Sequence, residues 1–131
     1  MNLTPSNRNA VAPATASAPF LDAERLDVYR VTLEFQSHAS VLALRGDASL
    51  RDQLRRASLS CALNTAEGAG QRSRAQKRHL YGIARGSAME CAAILDVLRV
   101  RRLATPAECV AARALLVRIV QMLTKLDQSL S

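Results

Sequence analysis

From about Leu21 onward, apolar residues recur at helical rather than strand spacing. Leu21, Val28, Phe35 and Leu42 repeat every seven residues, with Val31 completing the stripe and Leu26 and Leu33 widening it. This predicts a first helix over about 21–44. Arg45-Gly46-Asp47 breaks the pattern, because glycine permits a tight reversal and aspartate is a strong N-cap. A second helix is predicted over about 48–69, carrying Leu50, Leu54, Ala57, Cys61 and Thr65 on one side and Leu59 and Leu63 on another. Gly68 and Gly70 end it, and Ser73-Arg74-Ala75-Gln76 then has the S-x-x-Q form of a capping box. The third helix should run from Arg74 to about Arg101, with Leu80, Ala84, Ser87, Cys91, Leu95 and Leu98 as its inward seam. Thr105-Pro106-Ala107-Glu108 is a second capping box, with proline at the first helical position, where its missing N–H costs nothing. The last helix extends to about Ser129, and Leu116, Ile119, Leu123, Leu126 and Leu130 alternate along it at spacings of three and four.

Four long helices joined by short connections imply an all-α fold, an antiparallel up-down-up-down four-helix bundle over residues 20–131. Residues 1–19 mix small, polar and proline residues without an apolar period and are expected to form a flexible tail. The apolar faces are broader than one small core can cover. Ile83, Ile94, Val97 and Val100 lie off the third helix's seam, as Leu115 and Met122 do on the fourth. Burial of some of them between subunits is expected, and hence a homo-oligomer.

Composition reinforces this reading. The 131 residues suit one domain, and 23 Ala and 19 Leu stand against five Gly, four Pro, two Tyr, two Phe and no Trp, which favours helices over sheets. No apolar run approaches the roughly 20 residues of a membrane span, and the first 20 residues lack a secretory signal's apolar block, so a cytoplasmic protein without a membrane role is expected. Cys61, Cys91 and Cys109 show no CxxC spacing, and His38 and His79 are the only imidazoles beside them. Neither a disulfide framework nor a metal site is expected, and each thiol reads as a small apolar filler. No HExxH, glycine-rich phosphate loop or nucleophile motif is present, so the expectation is a non-enzyme without a cofactor.

Charge says more. The net charge is +7, and 16 of the 18 basic residues are arginine, whose planar fork suits phosphate or carboxylate. Between Gly68 and Glu90 lie Arg72, Arg74, Lys77, Arg78 and Arg85 and no acid, leading into a helix N-terminus where backbone N–H groups favour anions. Arg99, Arg101 and Arg102 fall at the opposite end, beside Arg45, Arg51, Arg55 and Arg56. A polyanion partner and an ordinary solvated surface both fit this pattern. Aromatic residues are too few and scattered for base stacking, so nucleic-acid binding would be directed at the backbone and weakly sequence-specific.

Three polar features stand out. Folding the second and third helices as a hairpin puts Glu90 within a turn or so of Asp52 to Arg56, which allows a pair with Arg55 or Arg56, structural or catalytic. Gly82 and Gly86, one turn apart within a helix, imply close approach of something, either inside the bundle or across a subunit boundary. Glu67 sits near a helix C-terminus, where the macrodipole disfavours an acid, and calls for a specific partner.

Arg25-Leu26-Asp27-Val28-Tyr29, Gln53-Leu54-Arg55-Arg56-Ala57-Ser58, Asn64-Thr65-Ala66-Glu67-Gly68 and Gly86-Ser87-Ala88-Met89-Glu90, in this order, carry a family resemblance over about residues 24–126. The chain resembles the bacterial four-helix bundle proteins first noticed as reading frames inside intervening sequences of large-subunit ribosomal RNA genes. It departs from that pattern at Thr65 and Ala62, where the family usually has Ile and often Pro. The resemblance implies closed homo-pentamers. A related branch, the accessory variability determinants of diversity-generating retroelements, works with a reverse transcriptase through a basic surface that binds nucleic acid. By likeness, Arg55, Arg56, Arg72, Arg74, Lys77 and Arg78 are the positions to test for that role. The leading expectation is a non-enzymatic oligomer that binds RNA or DNA through phosphates, as accessory to an enzyme such as a reverse transcriptase. The alternatives are a scaffold for an acidic protein and an enzyme acting through Glu67 or Glu90.

Overall fold

The computed structural model describes residues 20–131, and the expected tail at 1–19 lies outside the described residues. A 3₁₀ turn at Asp22–Arg25 is followed by α1 (Asp27–Ala43), α2 (Ala48–Gly70), α3 (Arg74–Val100) and α4 (Pro106–Leu130), with no strand among the described residues. Helices adjacent in sequence pack on one another, α1 also packs on α4, and the α2–α3 contact is the most extensive.

The punctuation read from the sequence sets most boundaries. Asp47 Oδ1 accepts from Leu50 N at 2.9 Å, and Ser73 Oγ accepts from Gln76 N at 3.2 Å. At Thr105 the box is reciprocal: Thr105 Oγ1 accepts from Glu108 N at 3.2 Å while Glu108 Oε1 accepts from Thr105 N at 3.0 Å. Helix α3 ends with Arg102 in the left-handed region at φ 60. Arg102 N donates to Arg99 O and Leu103 N to Leu98 O, the two bonds that close a helix end of this kind.

The first helix begins later than its spacing suggests. Leu26 is extended at φ −96 and ψ 123, so α1 starts at Asp27. Glu24 Oε1 accepts from Leu21 N at 2.7 Å and closes the 3₁₀ turn, while Arg30 Nη2 donates to Glu24 O at 2.9 Å and satisfies a carbonyl freed by the break. A seven-residue repeat of leucine and valine does not register a single extended residue between two turns.

Val28, Val31, Phe35 and Leu42 from α1, Leu54 and Cys61 from α2, Leu95 and Leu98 from α3, and Leu116, Ile119 and Leu123 from α4 form one buried core. Each buried leucine contributes on the order of 2 kcal/mol. Small buried side chains, Ala57, Cys61, Ala84, Ala88 and Cys91, lie along α2 and α3 and let that pair come close. Buried hydroxyls are satisfied on their own helices: Thr65 Oγ1 donates to Cys61 O at 2.7 Å and Thr32 Oγ1 to Tyr29 O at 2.6 Å.

Of the apolar residues expected to need a second subunit, Ile94 and Leu115 are buried in the chain's own core, and Val97 and Met122 are half-buried. Ile83 and Val100 stay exposed, as do Leu59, Leu63 and Met89.

Candidate nucleic-acid interface

The α2–α3 turn gathers the basic block, but its cations are not equivalent. Lys77 Nζ donates to Ala69 O at 2.8 Å and Gly68 O at 3.3 Å, so its ammonium caps the carbonyl end of α2. Arg78 forms a fork with Asp127, Nε to Oδ1 at 2.9 Å and Nη2 to Oδ2 at 3.3 Å. These bonds hold the Asp127 carboxyl below its usual range. Arg85 Nε donates to Thr124 Oγ1 at 2.9 Å. Arg72 and Arg74 are exposed and have no hydrogen-bonded or ion-paired acceptor among the described residues.

Arg72 precedes the α3 N-cap and Arg74 is the first residue of α3, whose first turn contains no acid. Cations there oppose the helix dipole, at a cost of roughly 0.3–1 kcal/mol each. An anion held between them and the free N–H groups of the first turn would reverse that cost.

Arg55 and Arg56 are also exposed and without an ion pair among the described residues, but they lie elsewhere. Sixteen residues separate Arg56 from Arg72, roughly 24 Å at the helical rise. The six positions named from the family likeness therefore form two groups. The expected pair of Glu90 with Arg55 or Arg56 is not made, and all three side chains point to solvent. An exposed pair of long side chains offsets little of the entropy it costs. Glu67 is exposed and makes no hydrogen bond or ion pair among the described residues.

The motif residue Asn64 has a structural task. Its Nδ2 donates to Ser60 O at 2.9 Å and Ser60 Oγ at 3.1 Å, and the Ser60 and Ser87 hydroxyls bond at 2.8 Å, tying α2 to α3. Gly82 and Gly86 are exposed, and a Cβ at either would meet nothing within 4 Å, so the close approach they suggested does not occur inside the chain. Gly68 and Gly46 are the glycines that do face neighbours: a Cβ at Gly68 would lie 2.8 Å from Tyr81 Cε1, and one at Gly46 would lie 2.8 Å from Leu50 Cβ and 3.4 Å from Leu98 Cδ2.

At the other end, Arg45, Arg99 and Arg102 line one cavity with Thr105 and Glu108. Arg45 Nη2 meets Glu108 Oε2 at 2.7 Å. The Thr105 N–H and then the Arg45 guanidinium hold the Glu108 carboxyl below its ordinary value. This cross-link between the α1–α2 connection and α4 was not readable from the sequence, since 63 residues separate its partners.

All three cysteines are buried, and burial pushes the Cys61 and Cys91 thiols up to about 12. Among the described residues no group of three or more His, Cys, Asp or Glu is placed to hold a metal ion, and no helix is long and apolar enough to cross a membrane. A comparison with curated proteins returns no match. The family described as 23S rRNA-intervening sequence protein matches residues 24–125, most of the chain and all four helices nearly to the end of α4, and the chain belongs to that family.

Proposed function

We propose that this family member is a non-catalytic, basic, cytoplasmic homo-oligomer, a closed pentamer on the family pattern, that binds RNA or DNA through phosphate contacts. On this reading it serves as accessory to a nucleic-acid enzyme such as a reverse transcriptase. The observation that carries the reading is the pair Arg72 and Arg74, exposed and without an acidic partner at the positive end of α3. Lys77 and Arg78 take a supporting part, because their bonds to the α2 carbonyls and Asp127 fix the corner from which the free arginines project.

Assembly is supported by apolar side chains left outside the core, with Leu59 52%, Leu63 57% and Val100 71% exposed. An antiparallel up-down-up-down course is part of the same reading. Ser60 bonded to Ser87, Lys77 to Ala69 and Arg78 to Asp127 support it. The number of basic clusters presented to a polyanion then scales with the number of subunits.

A mobility shift with duplex and single-stranded RNA and DNA at several salt concentrations tests the reading. Binding that weakens steeply with salt and differs little between sequences is expected, and no binding at low salt overturns it. Affinity capture before and after nuclease separates it from an acidic protein partner, which survives nuclease.

A further inference from the structure

We infer that the cavity between the α1–α2 and α3–α4 connections binds a terminal phosphate, the phosphomonoester of a nucleotide or of a strand's 5′ end. The site stands apart from the α2–α3 corner proposed above. Arg74 and Arg99 are 25 residues apart on α3, about 37 Å at the helical rise.

Three guanidiniums reach this cavity from different parts of the chain. Arg45 comes from the α1–α2 connection, Arg99 from the last turn of α3 and Arg102 from the connection to α4. The space they line is about 810 Å³, within the roughly 300–1,000 Å³ of small-molecule sites. Leu103 and Pro106 supply an apolar wall beside the cations, against which a ribose or base can lie.

The charges around this space do not balance within the chain. Glu108 is the one acid in the lining, and both its oxygens are taken, Oε1 by Thr105 N at 3.0 Å and Oε2 by Arg45 Nη2 at 2.7 Å. Arg45 keeps Nε and Nη1 unbonded among the described residues. Asp47, close to Arg45 in the sequence, accepts from Leu50 N as the cap of α2. Asp96 Oδ1 lies 3.9 Å from Arg99 Nη2, beyond hydrogen-bond distance, and both side chains are exposed. Arg102 and its exposed neighbour Arg101 have no ion pair among the described residues.

That imbalance selects the ligand. Three arginines against one glutamate leave the lining at +2. A phosphomonoester carries about −1.5 to −2 at pH 7 and neutralises it, whereas an internal phosphodiester carries a single charge. The positive end of α4 adds to the attraction: Pro106 opens the helix, the Thr105 hydroxyl takes Glu108 N, and Ala107 N between them has no acceptor among the described residues. Arg102 holds φ 60, a conformation free to glycine, so its guanidinium is placed at the cavity at a cost in stability.

Calorimetric titration with two ligand pairs tests the site: adenosine 5′-monophosphate against adenosine, and a 5′-phosphorylated against a 5′-hydroxyl single-stranded oligonucleotide. The phosphorylated member of at least one pair should bind about tenfold or more tightly. A preference confined to the mononucleotide assigns a free nucleotide, and one that extends to the oligonucleotide assigns a strand end. Arg102→Gly and Arg99→Gln should each cut the preference about tenfold. Both side chains are exposed and the glycine relieves the backbone, so circular dichroism should show both variants folded. Arg72→Ala/Arg74→Ala should leave the preference unchanged while weakening duplex RNA. No preference in either pair, one that Arg102→Gly leaves intact, or one that Arg72→Ala/Arg74→Ala removes overturns the site, whatever the duplex result. A protein that keeps the preference but ignores duplex RNA overturns the α2–α3 corner alone.

Discussion

Replacing Gly68 by alanine sets two effects of opposite sign against each other. Gly68 lies within α2 in ordinary helical conformation, and alanine in a helix interior is favoured over glycine by about 1 kcal/mol. On propensity alone the variant is more stable. The structure predicts the reverse, because the new methyl would lie 2.8 Å from Tyr81 Cε1, 2.9 Å from Cδ1 and 3.3 Å from Leu80 Cβ. The Tyr81 ring is only 3% exposed and has no open side to swing into. Overpacking of this kind costs roughly 1–3 kcal/mol, and with two ring atoms inside contact distance the upper half of that range applies. The net expectation is a loss of about 1–2 kcal/mol, or roughly 4–7 °C in Tm. Urea unfolding measures it. In a Tyr81→Leu background, which removes the facing ring atoms, the same Gly68→Ala change should become stabilising by about 1 kcal/mol. A Gly68→Ala protein more stable than wild type in the Tyr81 background would refute the close α2–α3 approach and, with it, the placement of the arginine corner that follows Gly68.

Three further outcomes follow from single features of the fold. Arg102→Gly should stabilise the protein by about 1 kcal/mol in urea unfolding, since φ 60 is costly for arginine and free for glycine; no gain would mean that the α3 end is held differently. Glu108 and Asp127 are held below their ordinary values of 4.5 and 3.8 by the Thr105 N–H and Arg45, and by Arg78. Their folded values are thus lower than their unfolded ones, so their contribution is present above the ordinary values and is lost as pH falls through the lowered ones. Glu108→Gln/Asp127→Asn should accordingly flatten the stability profile below about pH 4, and an unchanged acid limb would contradict those bonds. The Cys61 and Cys91 thiols, pushed up to about 12, should resist a thiol reagent at pH 8 until urea unfolds the chain, whereas prompt labelling of the native protein would show an open core.

The helices were legible because their signals are local. Asp47, Ser73 and Thr105 announce their caps within three residues, and the Leu116–Ile119–Leu123 spacing names the face that is buried. The Ser73 box is half formed: the serine accepts from Gln76 N, and no return bond from the Gln76 side chain is made among the described residues. Non-local facts were hidden. Nothing in the spacing of Ile94 or Leu115 says that their own chain covers them, and nothing in the run Arg72 to Arg85 says which cations are already engaged. Lys77 and Arg78 look like Arg72 and Arg74 in the sequence. They differ only because α2 ends beneath one and Asp127 arrives beside the other after 49 residues of chain. The hairpin register placed Glu90 near Arg56 in height, but height does not make two solvent-facing side chains meet.

The most direct test of the account is the salt dependence of binding to a labelled RNA duplex, for wild type and for Arg72→Ala/Arg74→Ala. The plot of log K against log salt should fall with a slope of about −0.9 for each phosphate neutralised, and the double variant should be shallower by about 2 for each subunit in contact. A wild-type slope near zero, or one that the two substitutions leave unchanged, contradicts phosphate binding at the α2–α3 corner.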